Sequence, residues 1–127
     1  MTDFKDLKER TKEFAYFCIK VCVKIEKGSD LANIVTKQLI RSSTSIAANY
    51  RAAYISPTRK AFGAKLSICA EEADEAAFWL QVICDHQLLL KHSNITPCQI
   101  SGLISEADQL TRIFIASRKT VAKDPPY

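Results

Sequence analysis

Two glutamates, Glu72 and Glu75, are the residues of this 127-residue chain whose type and spacing are best suited to chemistry. A separation of three places both carboxylates on one stripe of a helix, where their neighbours are Ile68, Trp79 and Val82. An unpaired charge among apolar side chains is costly, so each carboxylate needs a cation beside it. That cation could be a bound metal ion or the side chain of an arginine.

A metal site is the weaker of these two interpretations. Di-metal carboxylate sites inside helical bundles use Glu-x-x-His pairs on two helices. The chain has two histidines, His86 and His92, and neither follows a glutamate by three positions. We therefore predict no metal and no other cofactor. We expect the two glutamates to pair with Arg41 or Arg51, either between helices or across a subunit contact.

The candidate nucleophiles lack the neighbours that catalysis requires. Cys18 and Cys22 share a helix face, but no histidine or Cys-x-x-Cys motif accompanies them, so they are interpreted as core residues. Ser42, Ser43 and Ser45 have no nucleophile-elbow glycines around them, and the chain has no glycine-rich phosphate loop. The sequence therefore predicts no catalytic residue, and we expect the protein not to be an enzyme.

The cysteines and the apolar runs indicate a cellular compartment. The chain has five cysteines, an odd number, in apolar surroundings, and its charged start does not look like a secretory signal. This pattern predicts buried free thiols and a reducing, cytoplasmic location. No window reaches the roughly 18 apolar residues that a membrane span needs, so no membrane partner is expected.

Charge is segregated along the chain. No acidic residue occurs between Leu31 and Ala70, and four acidic residues then follow between Glu71 and Glu75. The basic window could contact nucleic-acid phosphates with tyrosines as stacking partners. In the alternative, favoured interpretation, its arginines neutralise the glutamates and its other cations are solvated. The candidate nucleic-acid-binding residues are Arg59, Lys60, Lys65 and Lys37.

Periodicity and capping residues predict the elements that position these side chains. Four helices are expected at about residues 6–27, 30–55, 57–86 and 97–118, followed by a loose tail at 119–127, all in a single domain over 1–127. The predicted N-terminal caps are Asp6 with Glu9, Ser29 or Asp30, Ser56 with Pro57, and Thr96 with Pro97 and Gln99. Short connections between helices of this length predict an all-α, antiparallel up-down-up-down four-helix bundle.

The first helix is apolar almost all round, which a small isolated bundle cannot bury. Phe78 of the third helix lies on an otherwise polar stripe. We therefore expect a homo-oligomer, with Tyr16, Ile19, Val23 and Phe78 as candidate contact residues.

Four segments of the chain stand out: FKDL at Phe4–Leu7, RSSTSIAANYRAA at Arg41–Ala53, SPTRKAFGAKLSICAEEADEAAFWL at Ser56–Leu80, and RIFIASRKT at Arg112–Thr120. These segments resemble the four-helix-bundle proteins of the 23S rRNA intervening-sequence family. The resemblance covers about residues 4–120. One departure is His86-Gln87, where that family often has a glycine at the end of the third helix.

The resemblance implies an antiparallel four-helix bundle that assembles as a homopentamer. Some members are encoded inside intervening sequences of bacterial 23S rRNA genes, and a related branch binds a reverse transcriptase and nucleic acid in diversity-generating retroelements. For most members no activity is established. We therefore expect a non-enzymatic homo-oligomeric scaffold or adaptor. The alternative is an accessory protein that binds structured RNA or a nucleic-acid-processing protein through the basic surface of the second and third helices.

Overall fold

Four helices occupy residues 4–123, the part of the chain that this computed structural model describes, with side chains from Leu7 to Ala122. They are α1 (Phe4–Val23), α2 (Asp30–Tyr54), α3 (Arg59–Asp85) and α4 (Pro97–Lys123). Each helix packs against the next, and α1 also packs against α4, less extensively than the other helix pairs do. This arrangement confirms the predicted all-α, antiparallel up-down-up-down bundle.

The core runs the length of the bundle and is built mainly from aliphatic side chains and alanines. Tyr50 of α2 and Phe114 of α4 are both fully buried. Their ring centroids lie 5.8 Å apart, although α2 and α4 are diagonal to each other in the bundle. Alanines such as Ala73 and Ala76 let α3 approach α2 and α4 closely. Burial of this stripe, rather than helix propensity alone, stabilises the helices.

Two of the predicted caps are present. The Ser29 hydroxyl accepts a hydrogen bond from the Ala32 amide at 3.0 Å, so α2 begins at Asp30. At α4, Thr96 and Gln99 form a reciprocal capping box. The Gln99 amide donates to Thr96 Oγ1 at 3.2 Å, and the Thr96 amide donates to Gln99 Oε1 at 2.9 Å.

The start of α3 differs from the prediction. Thr58, not Ser56, is the cap, and it accepts from the Ala61 amide at 3.1 Å. The Ser56 hydroxyl instead donates to the Ala52 carbonyl of α2 at 2.9 Å, so it is not available to the next helix. The third helix therefore begins at Arg59 rather than at Pro57.

The ends of the first helix also differ from the prediction. The helix begins at Phe4 rather than at Asp6, whose side chain lies outside the described residues. It stops at Val23 rather than near residue 27, because the chain turns to form an isolated antiparallel bridge between Ile25 and Leu89. The Leu90 amide donates to the Lys24 carbonyl at 2.8 Å, which ties this turn to the α3–α4 loop.

At the other end of the chain, part of the tail that was expected to be loose is helical. The last helix continues to Lys123, while residues 124–127 lie outside the described part. Val121 explains the extension, because it packs against the core, and a methyl group on Gly63 would lie only 3.6 Å from its Cγ1.

The third helix ends in a Schellman motif with glutamine in the left-handed position. Gln87 has φ +50°, a conformation that glycine adopts at less cost. The Leu88 amide donates to the Ile83 carbonyl at 3.1 Å, and the Gln87 amide donates to the Cys84 carbonyl at 3.3 Å. This chain therefore keeps the usual turn without the usual residue.

Candidate functional site

Arg41 lies between the two conspicuous glutamates. Its Nη1 donates to both carboxylate oxygens of Glu72, at 3.0 and 3.2 Å, and its Nη2 donates to Glu75 Oε2. Trp79 Nε1 also donates to Glu75 Oε2, at 3.1 Å. The hydrogen bond to Glu75 is the main cause of a raised Arg41 pKa, with Glu72 contributing. One guanidinium of α2 thus binds two carboxylates of α3.

This ion pair is a surface feature. The Arg41 side chain remains 48% exposed, and pairs of this kind contribute only about 0–1 kcal/mol. Arg51, the other expected partner, is exposed and makes no ion pair with any described residue. Within residues 4–123, no group of three histidine, cysteine or acidic side chains is placed to hold a metal ion.

The serines that could have been nucleophiles serve the helix itself. Ser42 and Ser43 are fully buried. The Ser42 hydroxyl donates to the Gln38 carbonyl at 2.8 Å, and the neighbouring Thr44 hydroxyl donates to the Ile40 carbonyl at 2.6 Å. These bonds satisfy the hydroxyl protons of Ser42 and Thr44 within α2, which suits close helix packing.

All five cysteines are free thiols, but they are not all buried as expected. Cys18, Cys22 and Cys69 are sealed in the core, whereas Cys84 is half-buried and Cys98 is exposed in the first turn of α4. Burial raises the pKa of Cys22 to about 11 and that of Cys69 to about 12, and it raises the pKa of Cys18 further. These three thiols are therefore protonated and inert at neutral pH.

Cations from three helices meet at one end of the bundle. A groove of about 430 Å³ is lined by Arg59 and Lys60 from the start of α3 and by Arg118 from the end of α4. A neighbouring cleft of about 540 Å³ adds the rings of Tyr54 and Phe62. The ammonium of Lys8 lies over the Tyr54 ring, 5.6 Å from its centroid. No described residue that lines either groove is acidic. We call Lys8, Tyr54, Arg59, Lys60 and Arg118 the basic end.

Two of the four candidate nucleic-acid-binding residues, Lys37 and Lys65, line neither groove of the basic end. Lys37 precedes Arg41 by one helical turn, and Arg41 contacts Glu75, so Lys37 lies at the height of residue 78 of α3. That is about 28 Å along the helix from Arg59. Lys65 is half-buried one and a half turns into α3. The four candidates therefore do not form one patch, and Lys8 and Arg118 of the basic end were not among them.

A second ion pair, also missed from the sequence, joins the two terminal helices. Arg10 Nε donates to Glu106 Oε2 at 2.6 Å, and Arg10 Nη2 donates to Glu106 Oε1 at 2.7 Å and to Gln109 Oε1 at 2.9 Å. The Arg10 side chain is about three-quarters buried. This bidentate contact holds α1 to α4, where helix packing is slightest.

The four candidate oligomer-contact residues are exposed and fall on two separate surfaces. Tyr16, Ile19 and Val23 share the outer side of α1 with Lys20, and Tyr16 is 58% and Val23 62% exposed. We call these four residues the α1 stripe. Phe78, 57% exposed, belongs to α3, which is diagonal to α1. It shares the outer side of that helix with acidic residues, and we call this set the α3 stripe: Glu71, Asp74, Phe78 and Asp85.

Comparison with known proteins assigns a family. The sequence model of the 23S rRNA-intervening sequence protein family matches residues 5–116, most of the chain. The chain belongs to this family. The match includes both stripes and the Arg41 pair, and it ends two residues before Arg118 of the basic end.

A solved structure shows the same architecture. It is a protein of unknown function from the S23 ribosomal protein family of Bacteroides thetaiotaomicron VPI-5482. It is 26% identical in sequence to this chain and superimposes with a TM-score of 0.73, over 91% of this chain and 97% of the other. No curated protein matches the chain.

Neither the family description nor that of the Bacteroides protein names a reaction. None of the helices within the described residues is long and apolar enough to cross a membrane.

Proposed function

We propose that this protein is a non-enzymatic scaffold or adaptor that works as a homo-oligomer, and that the oligomer is a pentamer. The observation that carries the proposal is the α1 stripe, an apolar surface on a helix whose opposite side is fully buried. Apolar patches of this kind on small proteins mark interaction sites. The number five rests on the resemblance to the four-helix-bundle proteins of the 23S rRNA intervening-sequence family.

Sedimentation velocity and light scattering on the purified chain at micromolar concentration test this proposal. A pentamer of 14.2 kDa subunits has a mass of about 71 kDa. A single 14.2 kDa species at all concentrations would overturn the proposal. A different discrete multiple would correct the number of subunits and leave the scaffold intact.

The basic end favours a second candidate function, the binding of structured RNA. Cations from α3 and α4 line two grooves, and the Lys8 ammonium of α1 lies over the Tyr54 ring beside them. Tyr54 and Phe62 offer rings for contact with bases. In a ring, each subunit presents the same surface, so weak individual contacts combine into stronger overall binding.

Salt dependence of RNA binding tests this candidate. Each phosphate contact releases counterions, so the logarithm of affinity falls linearly with the logarithm of salt concentration. Replacing Lys60 and Arg118 by alanine is expected to reduce the slope by about 1 for each contact that is lost. Lys37→Ala is the matched control, because Lys37 is exposed but distant from the basic end. Absence of RNA binding at low salt, or an equal effect of Lys37→Ala, contradicts this candidate.

A further inference from the structure

The α3 stripe is a surface whose charge disfavours pairing with a copy of itself. Phe78 projects from an acidic face on which Glu71, Asp74 and Asp85 are all exposed. None of these three carboxylates makes an ion pair with a described residue, and α3 has no lysine or arginine between Glu71 and Asp85. Bringing two α3 stripes together would therefore set like charges against each other.

The α1 stripe has the opposite charge around similar apolar side chains. Lys20 is exposed between Ile19 and Val23, and Lys24 is half-buried next to them. No acidic residue occurs from Tyr16 to Ile25, and Glu13 lies one turn earlier. Each stripe thus offers an exposed aromatic ring. The rim is basic on α1 and acidic on α3, so the two stripes are complementary in charge.

The two stripes also lie at the same height along the bundle. Cys22 of α1 donates to the Thr36 carbonyl of α2, with 3.8 Å between sulfur and oxygen. Slightly further along α2, Arg41 contacts Glu75 of α3. These contacts place the α1 stripe level with residues 74–81 of α3, a part that includes Asp74 and Phe78 of the α3 stripe. A rotation about an axis along the bundle changes direction but not height, so equal height lets one stripe meet the other in a ring.

We propose that subunits join head to tail, with the α1 stripe of one copy on the α3 stripe of the next. This contact rests on the self-assembly proposed above. The stripes belong to diagonal helices and face away from each other, so one contact leaves a free stripe at each end of a dimer. Because a heterologous contact leaves free stripes, growth continues until the rotation from one subunit to the next closes a ring, as in the pentamer proposed above. An isologous contact between two α1 stripes, with Lys20 against Glu13, is the competing arrangement.

Mixing two variants distinguishes these arrangements. Tyr16→Asp damages the α1 stripe and Phe78→Asp damages the α3 stripe, and both residues are exposed, so the fold is retained. For a head-to-tail contact, each variant alone is a 14.2 kDa monomer, whereas an equimolar mixture gives a 1:1 dimer of twice that mass and nothing larger. Ile55→Asp is the control, because Ile55 is 80% exposed and outside both stripes, and this variant assembles like the wild type.

If the dimer of the Tyr16→Asp and Phe78→Asp variants is too weak to detect, an exchange of charges between the two stripes provides a second test. Lys20→Glu is expected to reduce assembly at low salt, and Asp74→Lys in the same chain is expected to restore it. Retention of the wild-type mass by Phe78→Asp overturns the head-to-tail contact, as does failure of both the mixture and the charge exchange. If the wild type is itself a monomer, the proposed self-assembly fails first. If the wild type assembles but the variants do not behave as described, the proposed self-assembly stands and the head-to-tail contact between the two stripes fails.

Discussion

At the scale of single residues, burial decides what the cysteines can do. Thiolates, not thiols, are nucleophiles and metal ligands, and burial in apolar surroundings disfavours the thiolate. For Cys22 and Cys69 this effect holds the pKa at about 11 and about 12, well above the usual value of 9. Cys98 is exposed, so the same argument does not protect it.

Thiol labelling at about pH 8 should therefore proceed in stages. We expect Cys98 to react first with an aromatic disulfide reagent and Cys84 more slowly, while Cys18, Cys22 and Cys69 react only after unfolding. Replacing Cys98 by serine should remove the fast phase alone. Equal reaction rates for all five thiols in the folded protein would contradict the described burial.

The same shifts give a pH dependence of stability. A folded-state pKa above the unfolded value means that the native state holds its proton more tightly. The stabilisation is fully present below about pH 9 and decreases as the pH rises through about 11, the pKa of Cys22. Denaturant unfolding between pH 8 and pH 11 measures this loss. A Cys22→Ala variant should show a shallower decrease, and an unchanged profile would count against the assignment to Cys22.

At the scale of elements, features that depend on residues close together in the sequence could be predicted. The Thr96-x-x-Gln99 capping box follows from spacing alone and is present. The premature end of α1 does not follow from spacing, because the bridge from Ile25 to Leu89 joins segments far apart in sequence. The Arg10–Glu106 pair, between residues 96 apart, escaped prediction for the same reason.

The Schellman turn after α3 offers an element-scale prediction. Gln87 holds φ +50°, where a side chain is strained and glycine is not, so Gln87→Gly should stabilise the protein by up to about 1 kcal/mol. The matched control is Gln81→Gly, an exposed position inside the same helix, which should lose about 1 kcal/mol. Thermal unfolding should shift by about 3–4 °C in opposite directions for the two variants. A destabilised Gln87→Gly would show that the positive φ is not costly here.

At the scale of the whole molecule, the candidate surfaces were only partly predictable. Arg59 and Lys60 were found because they lie in a run of positive charge along the sequence. Arg118 and Lys8 join them only because antiparallel packing brings the end of α4 and the start of α1 to the same end of the bundle. The sequence showed that α1 carries more apolar residues than a small bundle can bury. That these residues lie on a different surface from Phe78 became clear only from the spatial order of the helices.

Self-assembly should also make thermal stability depend on protein concentration, since association stabilises only the folded chain. If five subunits separate as they unfold, a tenfold increase in concentration should raise Tm by about 4 °C for a chain of this size. Phe78→Asp should abolish this dependence, because it removes the contact between subunits without opening the core. Ile55→Asp, equally polar but outside both stripes, should keep it. Calorimetry over a hundredfold concentration range decides the matter, and a wild-type Tm that does not move means that the folded unit is the single four-helix bundle.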